Sequence, residues 1–235
     1  INEGVIITID NGIASIEAIK KAKEKGLEVL VIDHHLAKVD EKGQKILPPA
    51  DIIVDPHIDG KSEFTDYCGA GLAFRLAMEI GIENKEMLVL ASLATVADVV
   101  SLTGVNRTLV RHGLETIRKG IMPFGLREIL KELGIDFSHI NELDYGFTLC
   151  PIFNASGRLF DNGAKKVFDV LNLDYSNPRA FLKVKGIVNN NEKRKELCKE
   201  QLKFVLDIIN NLDIPTNTGI VLTNENFHPG LVGIT

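Results

Sequence analysis

The 235-residue sequence has no apolar run approaching the roughly 18–20 residues of a membrane-spanning helix. Its longest candidate, 87–100, is shorter and contains Asp98. The first residues lack a basic start followed by an apolar block, the pattern of a secretory signal. The expected setting is therefore cytoplasmic, with no membrane partner. No methionine stands at position 1, and the chain reads as a piece of a longer protein. Cysteine is scarce: Cys68, Cys150 and Cys198 are odd in number, far apart and outside any Cys-x-x-Cys pair. That argues for reduced thiols and against a zinc knuckle. A basic excess is missing too, since the net charge is −5, and composition alone does not advertise a nucleic-acid partner. Internal repeats and low-complexity segments are also lacking. What remains, 45% hydrophobic and 25% charged, is an ordinary globular composition of one or two domains.

The first third alternates strand and helix. Residues 5–9 are a continuous β-branched run, expected as a strand buried on both faces. A helix is expected over 13–25, stopped by Gly26, then a second buried strand over 28–32 and a third, shorter one over 52–54. Two such strands joined by one helix predict a parallel pair. From Gly69 onward the pattern turns helical, with helices expected over 71–80, 85–100, 106–118, 125–133, 141–150 and 163–171. Residues 154–162 read as a loop. Residues 177–205 hold eight basic residues against three glutamates, a local net of +5 that leaves −10 elsewhere. This predicts a long connecting helix with a basic side, although a solvated face is the blander reading of any one lysine. Residues 219–223 are expected to open a second α/β domain. The predicted class is α/β: a parallel sheet flanked by helices, a helical second half, a connecting helix and the start of another domain. The boundaries are 1–176, 177–212 and 213–235.

Three places carry chemistry. Asp10 follows the first strand and Asp33-His34-His35 the second. In a parallel sheet both fall at the carboxyl edge, where open α/β sheets bind ligands. Asp98 ends an otherwise apolar helix, where an uncompensated carboxylate is costly. Carboxylates with imidazole and no thiolate suit Mn²⁺ or Mg²⁺. Taken singly, Asp10 reads more readily as a helix cap than as a metal ligand, Asp33 could cap likewise, and each histidine reads as an ordinary satisfied polar group. Asp55-Pro56-His57-Ile58-Asp59 also holds ligand-type residues but reads as a turn. In Asn154-Ala155-Ser156-Gly157-Arg158, small residues beside a guanidinium allow close approach to an anion.

In this order, Thr8-Ile9-Asp10-Asn11-Gly12, Ile32-Asp33-His34-His35, Val96-Ala97-Asp98-Val99-Val100-Ser101-Leu102 and Asn154-Ala155-Ser156-Gly157-Arg158 resemble the motifs of the DHH phosphoesterase superfamily. Within it they are most similar to the RecJ family of single-stranded-DNA-specific 5′→3′ exonucleases. Cys68-Gly69-Ala70-Gly71, 191–195 and Phe227-His228-Pro229-Gly230 extend the likeness. The resemblance implies two Mn²⁺ or Mg²⁺ ions in the parent protein, with Asp10, His34 and Asp98 as ligands. It implies His35 facing the scissile phosphate, Asp33 orienting or supporting the pair, and Arg158 with Asn154 contacting phosphate or positioning His35. Arg194, Lys195 and His228 are the nucleic-acid contacts it suggests. The implied activity is exonucleolytic cleavage of single-stranded DNA in repair and recombination, with a single-strand-binding protein or helicase as a further partner. Two alternatives stand beside it: a phosphodiesterase of short oligonucleotides or cyclic dinucleotides, and an inactive binding scaffold. The sequence departs from the pattern in lacking an Asp-x-Asp, in stopping near the start of a DHHA1-type domain, and in carrying Ile152 where an arginine is typical. Little nuclease activity is therefore expected of these 235 residues alone.

Overall fold

The β-branched run forms β1 (Val5–Ile9), and the apolar positions after it form α1 (Ile16–Glu24) before β2 (Glu28–Ile32). A two-stranded antiparallel ribbon, β3 (Lys38–Val39) with β4 (Lys45–Ile46), precedes β5 (Ile52–Val54). The helices that follow are α2 (Gly69–Glu79), α3 (Lys85–Ala97), α4 (Gly104–Arg118), α5 (Phe124–Glu132), α6 (Glu142–Asp144), α7 (Cys150–Leu159), α8 (Gly163–Leu171) and α9 (Ala180–Asn210). This computed structural model describes residues 3–58, 60–211 and 219–234. The described chain divides into two compact units: 1–122 with 137–146, and 123–136 with 147–235.

In the first unit the sheet order is β1-β2-β5, all parallel. Ile9 pairs with Ile32 and Ile32 with Val54, so the three strands end in one row. The core of the layer is Ile19 of α1 against Val29 and Val31 of β2, with Ala22, Ala50 and Ile53 around them. β1 departs from the both-faces-buried expectation: Val5, Ile7 and Ile9 are exposed. Among the described residues it is an edge strand, paired with β2 alone, and is less covered than the central strand. The central strand β2 keeps the burial that its apolar run predicts. α2 is capped by Cys68, whose Sγ accepts the Gly71 N–H at 3.3 Å. Asn84 caps α3 through Oδ1.

The second unit packs α5, α7 and α8 on the first half of α9. Leu126, Ile129, Ile152 and Ile187 are nearly inaccessible there. α9 is 31 residues long, about 46 Å at 1.5 Å per residue. Its buried residues end at Asn191, and beyond it the helix is largely exposed.

Three expectations are corrected here. Residues 154–159 are helical, not loop: the backbone runs on from α6 through a π-helical turn, Tyr145–Leu149, into α7. Pro151 can give no N–H to the carbonyl four residues back, and the wider turn before it absorbs that loss. Ala155 and Ser156 are fully buried, so tertiary packing overrides the weak helix propensity of the Asn-Ala-Ser-Gly stretch. The helix expected over 85–100 stops at Ala97, because Val99 has φ 60°. Residues 219–223 form no strand, since no ladder partner is available to them among the described residues. The boundary expected at 212/213 lies outside the described residues, as does Asp59. The rest of its motif does turn, with Asp55 Oδ1 accepting the His57 N–H at 2.8 Å.

Candidate metal centre

One strand register organises the site. The Asp10 N–H donates to the Ile32 carbonyl and the Asp33 N–H to that of Val54, so each aspartate continues the ladder one step past its strand. Asp10 itself bends away with φ 64°, a left-handed conformation that aspartate tolerates better than most residues.

Asp33 is 1% exposed and is the pivot of the site. Its Oδ2 accepts the Ile13 N–H at 2.9 Å, and its Oδ1 accepts those of His34 at 2.8 Å and His35 at 3.3 Å. Burial by itself would raise its pKa, but the Ile13 N–H, the His35 ring and the other backbone donors together outweigh burial and hold it below the usual carboxylate value. The same Oδ1 lies 2.6 Å from His35 Nδ1. That bond to Asp33, with the further negative charges of Asp10 and Asp98, raises the pKa of His35 against partial burial. A ring pinned through Nδ1 leaves Nε2 to face solvent or a ligand.

His34 takes the other direction. Its Nε2 lies 3.0 Å from Asp10 Oδ1 and 3.5 Å from Asp98 Oδ2, with the imidazole itself largely buried. Ligand atoms of Asp10, His34 and His35 all fall within 4.8 Å of one another. Asp98 is the residue that closes α3, at the negative end of the helix dipole, where a carboxylate is poorly placed. Burial raises its pKa; Asp10 raises it further, and only the two histidines oppose the rise. Val99 beside it is β-branched, 88% exposed and held at φ 60°, which costs about 1–2 kcal/mol. Backbone strain at Val99 and an unfavourably placed carboxylate at Asp98 thus fall side by side at the end of α3.

The donor set fits a hard divalent cation. Two carboxylates and an imidazole converge, and no thiolate competes, since burial keeps the Cys68 thiol above its ordinary pKa. Asp10, Asp33, His34, His35 and Asp98 are thus brought together, and Asp10 makes no cap bond to α1, whose N-cap is Ser15. Asn154 and Arg158 lie on α7 in the second unit, Asn154 exposed and Arg158 donating from Nη1 to the Gly230 carbonyl at 3.2 Å. On α9, Lys195 is paired with Glu192, and the buried Nε of Arg194 has no partner among the described residues. His228 Nδ1 accepts the Gly230 N–H at 3.1 Å.

One neighbour was read from sequence only as part of a turn. Asp55 follows β5 in the same row as Asp10 and Asp33, and is 8% exposed with Oδ2 unpartnered among the described residues. Burial raises its pKa, and the nearby negative charge of Asp33 adds to that. Register alone would have pointed to it.

The model of the DHH family, N-terminal domain, matches residues 2–100. Over 232 residues the chain is 34% identical to the single-stranded-DNA-specific exonuclease RecJ of Bacillus subtilis, covering 98% of this chain and 28% of that one. It is 32% identical over 256 residues to the exonuclease of the same name from Haemophilus influenzae, covering 100% of this chain and 43% of the relative. Among solved structures, the exonuclease RecJ bound to manganese superposes with a TM-score of 0.80 at 30% identity, over 98% of this chain and 56% of the other. The chain therefore spans less than half the length of these two curated relatives.

Proposed function

From the match of residues 2–100 to the DHH family, N-terminal domain, we propose a metal-dependent phosphodiesterase that removes nucleotides from the 5′ end of single-stranded DNA. The observation that carries the reading is the convergence of Asp10 and Asp98 on the single Nε2 of His34, with His35 beside it on a separate carboxylate. Asp10, His34 and Asp98 would hold Mn²⁺ or Mg²⁺. When bound, such a cation supplies Lewis-acid charge to a phosphoryl oxygen and makes water a better nucleophile.

The protein's own groups do the rest. Asp33 fixes the His34-His35 backbone and the His35 ring at once, so the imidazole is pre-oriented before substrate arrives. The bond to Asp33 raises the His35 pKa and so favours the protonated ring, whose Nε2 would donate to a phosphate or leaving oxygen. Arg158 would supply a guanidinium fork to phosphate, with Asn154 beside it on α7. Lysines and arginines along α9 would meet the backbone of the strand, which makes binding salt-dependent. We further propose that α9 links the catalytic domain, 1–176, to a DHHA1-type domain.

Digestion of a long 5′-phosphorylated single strand with Mn²⁺ tests this, against a duplex and a dinucleotide. In the full-length parent protein the long strand should be degraded from its 5′ end, and Asp10→Ala or His34→Ala should abolish the reaction. Preference for the dinucleotide would move the reading to a short-oligonucleotide phosphodiesterase. Wild-type rates in Asp10→Ala would remove the metal assignment.

A further inference from the structure

The guanidinium of Arg158 is not left to find its own direction. Its Nη1 donates to the Gly230 carbonyl at 3.2 Å, while Nε and Nη2 make no hydrogen bond among the described residues. The contact is reciprocal: a β-carbon built on Gly230 would overlap the backbone carbonyl oxygen of Arg158. Gly230 is not at positive φ, so the glycine is needed there for space and not for its backbone angles.

The segment carrying Gly230 is itself anchored. The Gly230 N–H donates to His228 Nδ1 at 3.1 Å, closing the His228-Pro229-Gly230 turn. The His228 N–H donates to Gln201 Oε1 of α9 at 3.1 Å. Phe227 meets Phe204 of α9 edge to face, with ring centroids 6.1 Å apart, and Leu231 is fully buried. A turn held at both sides and pressed against α7 is a rigid support, not a chance contact.

We infer that the His228-Pro229-Gly230 turn is a positioning element for Arg158: it clamps one arm of the guanidinium so that the remaining donors are presented to substrate phosphate. The inference rests on the function proposed above for the identity of the anion. Its chemistry is that of a planar fork losing less freedom on binding when one arm is already fixed. Gly230 and His228 touch no reacting atom in this role and act through Arg158.

The test is a double-mutant cycle in the full-length parent protein loaded with Mn²⁺, read as KM and kcat on a 5′-phosphorylated single strand. Gly230→Ala should raise KM about tenfold and leave kcat unchanged, the scale of one hydrogen bond to a charged group. Arg158→Ala should raise KM at least as much, and the double variant should be no worse than Arg158→Ala alone. Additive losses would overturn the proposal, and so would an unchanged KM in Gly230→Ala. If Gly230→Ala fails to fold, His228 provides the second pair. His228→Ala, which removes the acceptor, should raise KM, and His228→Asn, which keeps one, should restore it; equal effects would overturn the proposal. The Arg158 Nε–H resonance gives a reading free of catalysis, because releasing the clamp should move it toward the position of a free arginine. If it moves in Gly230→Ala while the wild-type protein leaves the strand uncut, the function fails and the positioning stands. If the strand is cut and the resonance is unmoved, the positioning alone fails.

Discussion

Gly69 stands so close to Asp10 that a β-carbon on it would lie 2.5 Å from both Cβ and Oδ1 of the aspartate. The start of α2 therefore sets where the Asp10 carboxylate can be, and its positive dipole end favours negative charge there. The same β-carbon would lie 2.7 Å from the Asp10 Cα, so Gly69→Ala should displace Asp10 with its backbone. Mn²⁺ binding, measured by calorimetric titration, is expected to weaken about tenfold or more, the effect seen for residues that orient metal ligands. An unchanged affinity would mean that Asp10 is placed by β1 alone.

Asp33 should govern the titration of His35. With Asp33→Asn the ring loses its anionic partner, and the His35 pKa should fall from its raised value toward the ordinary 6.5. Metal-free NMR titration of the imidazole checks this. The stability effect has a definite sign. The folded pKa of Asp33 is depressed below 3.8, so its contribution is full above that value and is lost as pH falls through the folded pKa. The variant should be less stable than wild type at neutral pH, and the gap should close in strong acid.

Asp55 should behave in the opposite way. Its folded pKa is raised, so the buried carboxylate costs stability once pH exceeds the ordinary 3.8, and the cost is full above the folded pKa. Asp55→Asn removes the charge while keeping the shape. It should raise the melting midpoint by a few degrees at pH 7, about what 1 kcal/mol does in a domain of this size. The gain should vanish below the ordinary carboxylate pKa. Cleavage should change little. A large loss of activity in Asp55→Asn would place Asp55 in the reaction.

Thiol reactivity should separate the three cysteines. Burial pushes Cys150 up to about 11 and raises Cys68 as well. At pH 8 a thiol of pKa 11 is thiolate in roughly one molecule per thousand. Cys198 on α9 is half-exposed. A disulfide reagent on the native protein should react quickly with Cys198 alone, and with all three in denaturant.

The DHH triplet, Asp10 and Asp98 were legible because each sits where a periodic apolar segment ends. Strand and helix ends can be read from such patterns, and a parallel pair puts its carboxyl ends on one edge. Asp55 also follows an expected strand but read as a turn, and what puts it in the row is the β2–β5 register, Ile32 against Val54. Pairing register is a contact between distant segments, and no local pattern encodes it. The helical course of Asn154–Leu159 was hidden for a related reason. Asn, Ser and Gly favour turns locally, and burial of Ala155 and Ser156 decides otherwise.

By itself the sequence determined the α/β class, the residue types of the candidate site and the long basic helix, all of which follow from residue type and spacing. The tertiary structure alone decided that one imidazole nitrogen faces both Asp10 and Asp98, that Asp33 supports two histidines, and that Gly230 steadies Arg158. Those relationships link residues 24, 64 and 72 positions apart, and one that looks local, Asp33 with His35, depends on burial by the whole sheet. Distances of that kind are set by how elements pack, which side-chain chemistry and periodicity constrain only indirectly.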